Sequence, residues 1–280
     1  MYLVKVSFGL MRKGASGDEG VDSVEEYLAA LRRNGQISEE YLIANLARPL
    51  EAYAQVPRPN SLELRFFSSW GRRTLKKLRE IFDRQPSYRL LERPDRSRFP
   101  SWRSARSLYL VTDMFDVRSP VRVPEFEDPI PLYLLPISSQ QRDYLDRWAQ
   151  KFRDHDRIWI GSGALEIPAY RQLADPKSEL SQEGREHCKE IEAGTGKPTY
   201  YYLWRYYGRR KGESNRLCPV CGKDWTVRRH DSHTVRFARF DFRCRPCRLV
   251  SHMATSDEDE RHARIGEFRS RRKSAGTPTY

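Results

Sequence analysis

Four of the five cysteines lie in two Cys-x-x-Cys pairs, and their spacing predicts a metal site. Cys218 and Cys221 form the first pair, Cys244 and Cys247 form the second, and 22 residues separate the two pairs. Two residues between cysteines allow one tight turn to point both sulfurs at the same ion, and two such turns complete a tetrahedral thiolate site. This arrangement is typical of a zinc ribbon, so we expect one zinc ion as the cofactor.

The expected zinc is structural, because four sulfurs fill its coordination shell and leave no position for an activated water. His230 and His233 lie between the pairs and could compete as ligands, but with both cysteine pairs intact they are better interpreted as loop histidines. A redox role for one pair would leave the second pair without a purpose. Cys188 stands apart and is predicted to be a core thiol. No catalytic set can be assembled from the other residues, so we expect that the protein is not an enzyme.

The basic excess of the chain is concentrated around the cysteines. The net charge is +13, and residues 201–280 hold 19 Lys/Arg against 9 Asp/Glu, which leaves only +3 for residues 1–200. A positive field favours polyanions, usually nucleic acid, although solubility alone is the plainer alternative. The basic residues predicted to contact nucleic acid are Arg216, Lys223, Arg228, Arg229, Arg236, Arg239, Arg243, Arg245 and Arg248.

Aromatic side chains are interleaved with these basic residues. They could stack on bases, but a small ribbon also needs an apolar layer, and we favour a place in that layer. The β-prone run from Thr199 to Tyr207 presents the same two alternatives, a stacking platform or a strand buried on one face. The residues expected in the apolar layer are Trp225, Val227, Phe237, Phe240 and Phe242.

Hydrophobic periodicity predicts an α+β fold. The N-terminal part combines strands and helices, and a ferredoxin-like sandwich is one arrangement consistent with their order. A helical segment follows and ends in the aromatic strand. Strands are expected at 2–10, 50–56, 88–92, 108–115 and 199–207, and helices at 22–35, 69–82, 140–153, 163–173 and 181–193.

Composition along the chain predicts four regions. The charged stretch 208–215 is expected to link the body to the ribbon, and the C-terminal residues combine an acidic run with a basic run, as in a disordered tail. The expected division is an α+β domain at 1–137, a helical segment with the aromatic strand at 138–207, a β zinc ribbon at 208–253 and a charged, disordered tail at 254–280.

Several segments closely resemble a bacterial family of zinc-ribbon-containing proteins with a suggested role in nucleic-acid binding. The resemblance covers about residues 1–253, and the spacer between the cysteine pairs and the tail after Ala254 are longer here. It implies zinc, suggests nucleic acid, and brings no catalytic residues. The segments are Ser181-Gln-Glu-Gly and the residues to 192, Gly196-Lys-Pro-Thr and the residues to 203, Arg216-Leu-Cys-Pro-Val-Cys and the residues to 225, 240–251, 129–136 and the opening Met-Tyr-Leu.

The sequence also supports predictions of the protein's cellular compartment and of its binding partners. The N-terminus reads as a strand and lacks a basic start followed by an apolar run, and no stretch is long enough to cross a bilayer. We therefore expect a cytoplasmic protein that does not act at a membrane. The expected partner is DNA or RNA. The alternative is a protein partner, with the chain acting as an interaction module such as an adaptor or an immunity-type inhibitor of a toxin, since the first 200 residues are nearly neutral.

Overall fold

The computed structural model describes residues 1–38, 40–44, 49–92, 100–227 and 237–269. Within these residues the chain forms two β-sheets with helices packed against them, which confirms the predicted α+β class. Among the helices so described, none has both the length and the apolar character that crossing a membrane requires.

The first sheet belongs to a βαββαβ unit with the strand order β2-β3-β1-β4 and antiparallel pairing throughout. This element order is the ferredoxin-like one, so the arrangement suggested by the sequence is confirmed. The elements are β1 (Tyr2–Ser7), α1 (Gly17–Arg33), β2 (Tyr41–Ala44), β3 (Glu51–Val56), α2 (Ser69–Ile81) and β4 (Ser87–Glu92).

Alternation along β1 and β3 explains why one face of this sheet is buried. Val4 pairs with Ala54 and Val6 with Ala52, so that the small and branched side chains of both strands face the helices. The helix α1 begins at Gly17 and not at Asp22, because the Ser16 hydroxyl accepts a hydrogen bond from the Glu19 amide and caps an earlier turn.

The second sheet is mixed and brings together strands that are far apart in sequence. Its order is β6-β5-β7-β9-β8, and the central β7 pairs in parallel with both β5 and β9. The strands of the cysteine region therefore belong to the same sheet as the strands within residues 108–122 and 199–202. The elements are β5 (Leu108–Leu110), β6 (Val121–Arg122), α3 (Ser139–Gly161), α4 (Glu166–Ala174), α5 (Glu179–Thr195), β7 (Thr199–Tyr202), β8 (Phe242–Cys244) and β9 (Leu249–Ser251).

The core under this sheet continues into the cysteine region. Trp148 of α3 is buried, and its indole N–H donates to the Leu180 carbonyl at 3.0 Å. Gly184 of α5 allows the close approach of Tyr201, since a Cβ there would lie 2.4 Å from the Tyr201 ring. The same cluster includes the buried Cys218 together with neighbouring apolar residues, so the metal-site cysteines rest on the main core.

The C-terminal segment 254–269 packs against the body, which corrects the predicted disordered tail for those residues. The fully buried Arg205 donates to the Ala263 carbonyl at 3.0 Å and to the Ile265 carbonyl at 3.1 Å. Phe268 lies so close to Gly222 that a Cβ there would be 2.6 Å from its ring. We call residues 254–269 the C-terminal strap. The remainder of the predicted tail, 270–280, lies outside the described residues.

Candidate metal centre and its basic surface

The four predicted cysteines converge on one point. Their sulfur atoms all lie within 4.8 Å of one another, and the Cys221 and Cys244 sulfurs are 3.6 Å apart. This separation is far longer than a disulfide bond of about 2.05 Å. An ion bound to four sulfurs at about 2.3 Å with tetrahedral geometry places the sulfurs about 3.8 Å apart. The cluster therefore has the size and ligand set of a four-thiolate metal site.

The first pair sits in a turn that directs backbone amides at the sulfurs. The Gly222 amide donates to the Cys218 carbonyl at 2.8 Å, and the Cys218 amide donates to the Lys223 carbonyl at 2.9 Å. Gly222 has φ +70°, a value that glycine adopts without a Cβ clash. The amide of Val220 points at the Cys218 sulfur, and that of Lys223 at the Cys221 sulfur. We call residues 218–223 the first knuckle.

The second pair occupies the tip of the β8–β9 hairpin, which we call the second knuckle (residues 244–248). Arg248 follows Cys247 as Gly222 follows Cys221, and it also has a positive φ, +52°. A non-glycine residue in this conformation carries a cost of about 1–2 kcal/mol. The Arg248 guanidinium forms two hydrogen bonds to the Glu192 carboxylate of α5, at 2.8 and 2.9 Å, which hold the residue in place.

The thiols of the cluster have different pKa values: despite burial, hydrogen bonds from the Lys223 amide and from neighbouring sulfurs lower the pKa of Cys221 to about 7. Burial raises the pKa of the Cys218 thiol and of the Cys247 thiol. Thiolates at these positions therefore need a positive ion for compensation near neutral pH, and thiolates are the form in which cysteine binds metals.

Aromatic packing holds the two knuckles together. Trp225, which follows the first knuckle, stacks on Phe242 of β8 with ring centroids 5.1 Å apart and an interplanar angle of 21°. The Arg243 amide donates to the Trp225 carbonyl at 2.6 Å, so the backbones are joined as well. Both rings are buried. Of the five residues predicted for the ribbon's apolar layer, these two form it, and the prediction for the other three is corrected.

Phe237 and Phe240, also predicted for that layer, lie on the opposite face of the second sheet, and Val227 is half-buried and lines a surface groove. Phe240 stacks on Tyr109 with centroids 5.2 Å apart, and Phe237 packs edge-on against the same ring. Tyr200 and Tyr202 of β7 are buried in this cluster. The aromatic strand is thus buried on both faces, and its tyrosines present no open stacking platform.

The predicted basic residues divide into exposed, anchored and buried groups. Lys223, Arg239 and Arg245 are exposed. Arg239 pairs with Asp241 at 3.1 Å. Arg243 donates to the Tyr109 hydroxyl and lies over the Tyr200 ring at 5.1 Å, which fixes its guanidinium.

Arg216 does not belong to this surface, and the prediction for it is corrected. Its side chain is only 3% exposed and pairs with Glu213 at 3.1 Å and Glu267 at 3.3 Å. Its backbone carbonyl accepts the Trp225 indole N–H at 2.8 Å. Arg216 therefore joins the C-terminal strap to the base of the first knuckle. Three further predicted contacts, Arg228, Arg229 and Arg236, lie outside the described residues, as do His230 and His233.

Two basic residues of α5 that the sequence did not predict also belong to the basic surface. Arg185 and Lys189 line a groove between α5 and the second knuckle, together with Pro246, Cys247 and Arg248. Their spacing of four residues places them on one face of the helix. That spacing was visible in the sequence, but the parallel β7–β9 pairing that brings α5 beside the knuckle was not.

A second groove lies on the other side of Pro246. Lys223, Arg243 and Arg245 line it, with Asp224 as the acidic member. Since both grooves include Pro246, they meet at the tip of the second knuckle. The result is one basic band across both knuckles and α5, which we call the knuckle strip: Arg185, Lys189, Lys223, Arg243, Arg245 and Arg248.

Comparison with known families assigns three successive regions. Residues 1–92 match a domain of unknown function (DUF8589), residues 103–204 match another (DUF2310), and residues 208–257 match a third (DUF8594). None of these descriptions mentions zinc or nucleic acid. Of the resemblance stated from the sequence, the cluster of four cysteines is supported, and the families that match are of unknown function. No solved structure matches the chain.

Two curated relatives are both described as an uncharacterized protein of Haemophilus influenzae. Each is 34% identical to the chain over 157 residues, or 55% of its length. The match covers 56% of the first relative and 72% of the second. The chain thus spans little more than half the length of the first relative.

Proposed function

The chain belongs to the same family as these uncharacterized Haemophilus influenzae proteins, and from its site we propose that it binds nucleic acid through the knuckle strip, which one structural zinc ion holds in place. The protein acts as a binding protein and not as an enzyme. The observation that carries this proposal is the continuity of the strip across both knuckles and α5.

Charge favours a polyanionic ligand. The six cations of the strip line their two grooves with two carboxylates, Asp224 and Glu192. Lys189 also pairs with Glu186 at 2.7 Å, so six positive and three negative charges leave a net charge of +3. Glu192 is already engaged by Arg248. A fixed band of positive charge contacts phosphates and releases counterions, which is the main source of affinity in sequence-independent nucleic-acid binding.

Preorganisation supports the same ligand. Arg243 is held against Tyr109 and Tyr200, and Arg248 is held by Glu192, so neither side chain has to lose much rotamer freedom on binding. Lys223 and Arg245 make no ion pair within the described part of the chain and are available to phosphates. The strip thus combines fixed and adaptable cations, as phosphate-contacting surfaces do.

Zinc is the metal that the ligand set favours. Four thiolates at tetrahedral positions suit zinc or iron–sulfur chemistry, and two Cys-x-x-Cys knuckles are the usual frame of a structural zinc. Binding of such an ion supplies about 10–16 kcal/mol of apparent free energy near neutral pH. This contribution adds to the packing of the cysteine region on the main core.

Neutralising exposed cations of the strip tests the proposal. We expect Lys223→Gln with Arg245→Gln to weaken binding to a fluorescein-labelled single-stranded DNA and to lower the slope of log affinity against log salt by up to about 1.4, since each lost phosphate contact removes about 0.7. The matched control is Arg171→Gln with Lys177→Gln, which removes the same charge from exposed positions away from the strip. Fluorescence anisotropy over a salt series measures both, with RNA of the same sequence as a second ligand.

Absence of binding by the wild-type protein to DNA and RNA at low salt would rule the proposal out. Binding without inverse salt dependence, or equal losses in the strip variant and the control, would also contradict it. Stoichiometric capture of an acidic protein by the same strip, with no nucleic-acid binding, would favour the interaction-module alternative.

A further inference from the structure

The helix α2 of the ferredoxin-like unit carries a row of cations that are not part of the knuckle strip. Arg72, Lys76 and Arg79 are exposed, and none of them makes an ion pair within the residues that the structure describes. At 100° per residue these positions fall within about 60° of one another on the helix surface, so they form a single line. We call them the α2 row.

The row faces away from the nearest acidic residues of α1. Lys77, on the other side of α2, pairs with Glu26 of α1 at 3.0 Å, and this pair holds the pKa of Glu26 below its usual value. The helix's one acidic residue, Glu80, forms no ion pair with the row among the described contacts. Within the ranges that the structure describes, the three positive charges therefore have no ion-pair partner.

The close spacing of these cations does not stabilise α2. Like charges three or four residues apart on a helix repel each other. This repulsion acts between Arg72 and Lys76 and between Lys76 and Arg79. The first turn of α2 contains no acidic residue, so Arg72 also lies near the positive end of the helix dipole without a compensating charge. Arg79 lies in the last turn, where the helix dipole favours a cation. The mutual repulsion within the row and the position of Arg72 are therefore the unfavourable features, and a phosphate ligand would relieve both.

We infer that the α2 row is a second contact surface for the phosphate backbone of nucleic acid, separate in the chain from the knuckle strip. This inference rests on the proposed function. The row runs over eight residues, from Arg72 to Arg79, and the seven rises between its ends cover about 10 Å along the helix axis. This length matches about three nucleotide steps at 3.4 Å per step of one strand. A line of point charges with no aromatic or apolar neighbour in the row suits a phosphate backbone better than a base or a folded protein surface.

The triple variant Arg72→Gln, Lys76→Gln and Arg79→Gln tests the inference. With a fluorescein-labelled single-stranded DNA, we expect the salt slope to fall by about 2, at 0.7 per contact, and the affinity at low salt to fall on the order of tenfold. The melting temperature should stay the same or rise, because like-charge repulsion within α2 is removed. The matched control is Lys13→Gln, Arg171→Gln and Lys177→Gln, which makes the same change in net charge at exposed positions.

The outcomes separate this inference from the proposed function. If the wild-type protein binds DNA and the Lys223 and Arg245 variant loses affinity, but the α2 triple variant behaves like its control, the inference is wrong and the proposed function stands. A drop in melting temperature with unchanged salt slope would assign the row a structural role and would also overturn the inference. If the wild-type protein does not bind DNA, both the inference and the proposed function are wrong.

Discussion

Two residues one position beyond a cysteine pair shape the metal centre. Gly222 and Arg248 each follow the second cysteine of a pair and each have positive φ, which closes the turn under the two sulfurs. Glycine takes this conformation freely, whereas Arg248 is held in it by Glu192. The arginine thereby joins the second knuckle to α5, a contact that a glycine at the same position could not make.

A half-buried histidine beside the ribbon, His252, predicts a pH dependence at the residue scale. The Tyr202 hydroxyl and His252 Nδ1 are 2.9 Å apart, the ring packs on Trp204, and burial lowers the pKa of His252 to about 4. In the unfolded chain the imidazole titrates near 6.5. As pH falls from about 6.5 to about 4, the unfolded chain therefore binds a proton that the folded chain does not.

We accordingly expect folding stability to be lost over that range, by roughly 3 kcal/mol at most from this one group. His252→Gln should remove this component, so the difference in free energy of unfolding between wild type and variant should shrink as the pH is lowered. Urea unfolding at a series of pH values measures it. A difference that stays constant across the range would show that His252 does not titrate as its burial predicts.

At the scale of elements, the C-terminal strap and the stretch before the first knuckle are joined through a buried charge cluster. Glu213 lies between Arg205 and Arg216, at 3.6 and 3.1 Å, and the two arginine side chains are 2% and 3% exposed. Arg216 also reaches Glu267 of the strap. These contacts place the first knuckle on a support made by three separate segments.

Removing the charge of Glu213 should loosen that support. Glu213→Gln leaves Arg205 and Arg216 buried with less compensation, and we expect a loss of about 3 kcal/mol in the free energy of unfolding, since breaking a buried pair is costly. The control is Glu63→Gln, which breaks an exposed pair with Arg65 and should change stability by less than about 1 kcal/mol. Equal effects of the two variants in urea unfolding would show that the cluster is not a structural joint.

At the scale of the whole molecule, strong local patterns predicted their elements, whereas the shortest strands and the long-range contacts were not predicted. The cysteine spacing predicted the four-sulfur cluster, and the periodicity predicted α2 to within a residue, because both depend on neighbours in the chain. The short edge strand Tyr41–Ala44 was missed, since four residues give too little alternation. The place of Arg216 was missed because its burial depends on Glu267, 51 residues away.

The union of the cysteine region with the sheet strands of residues 108–122 and 199–202 could not be predicted from the sequence either. It rests on two residue pairs between β7 and β9, and such parallel pairing leaves no mark in local composition. That union brings α5 beside the second knuckle and so creates the knuckle strip. The four-cysteine cluster, the sheet and the basic surface are therefore parts of one structure, and loss of the proposed metal should disturb the surface.

The affinity for single-stranded DNA, measured on one preparation before metal removal, after chelation and after zinc is restored, tests this central claim most directly. We predict one zinc ion per chain in the native protein, weak binding with a reduced salt slope after chelation, and recovery of both when zinc returns. A native protein without zinc, or an affinity that is the same in the metal-free state, would contradict it.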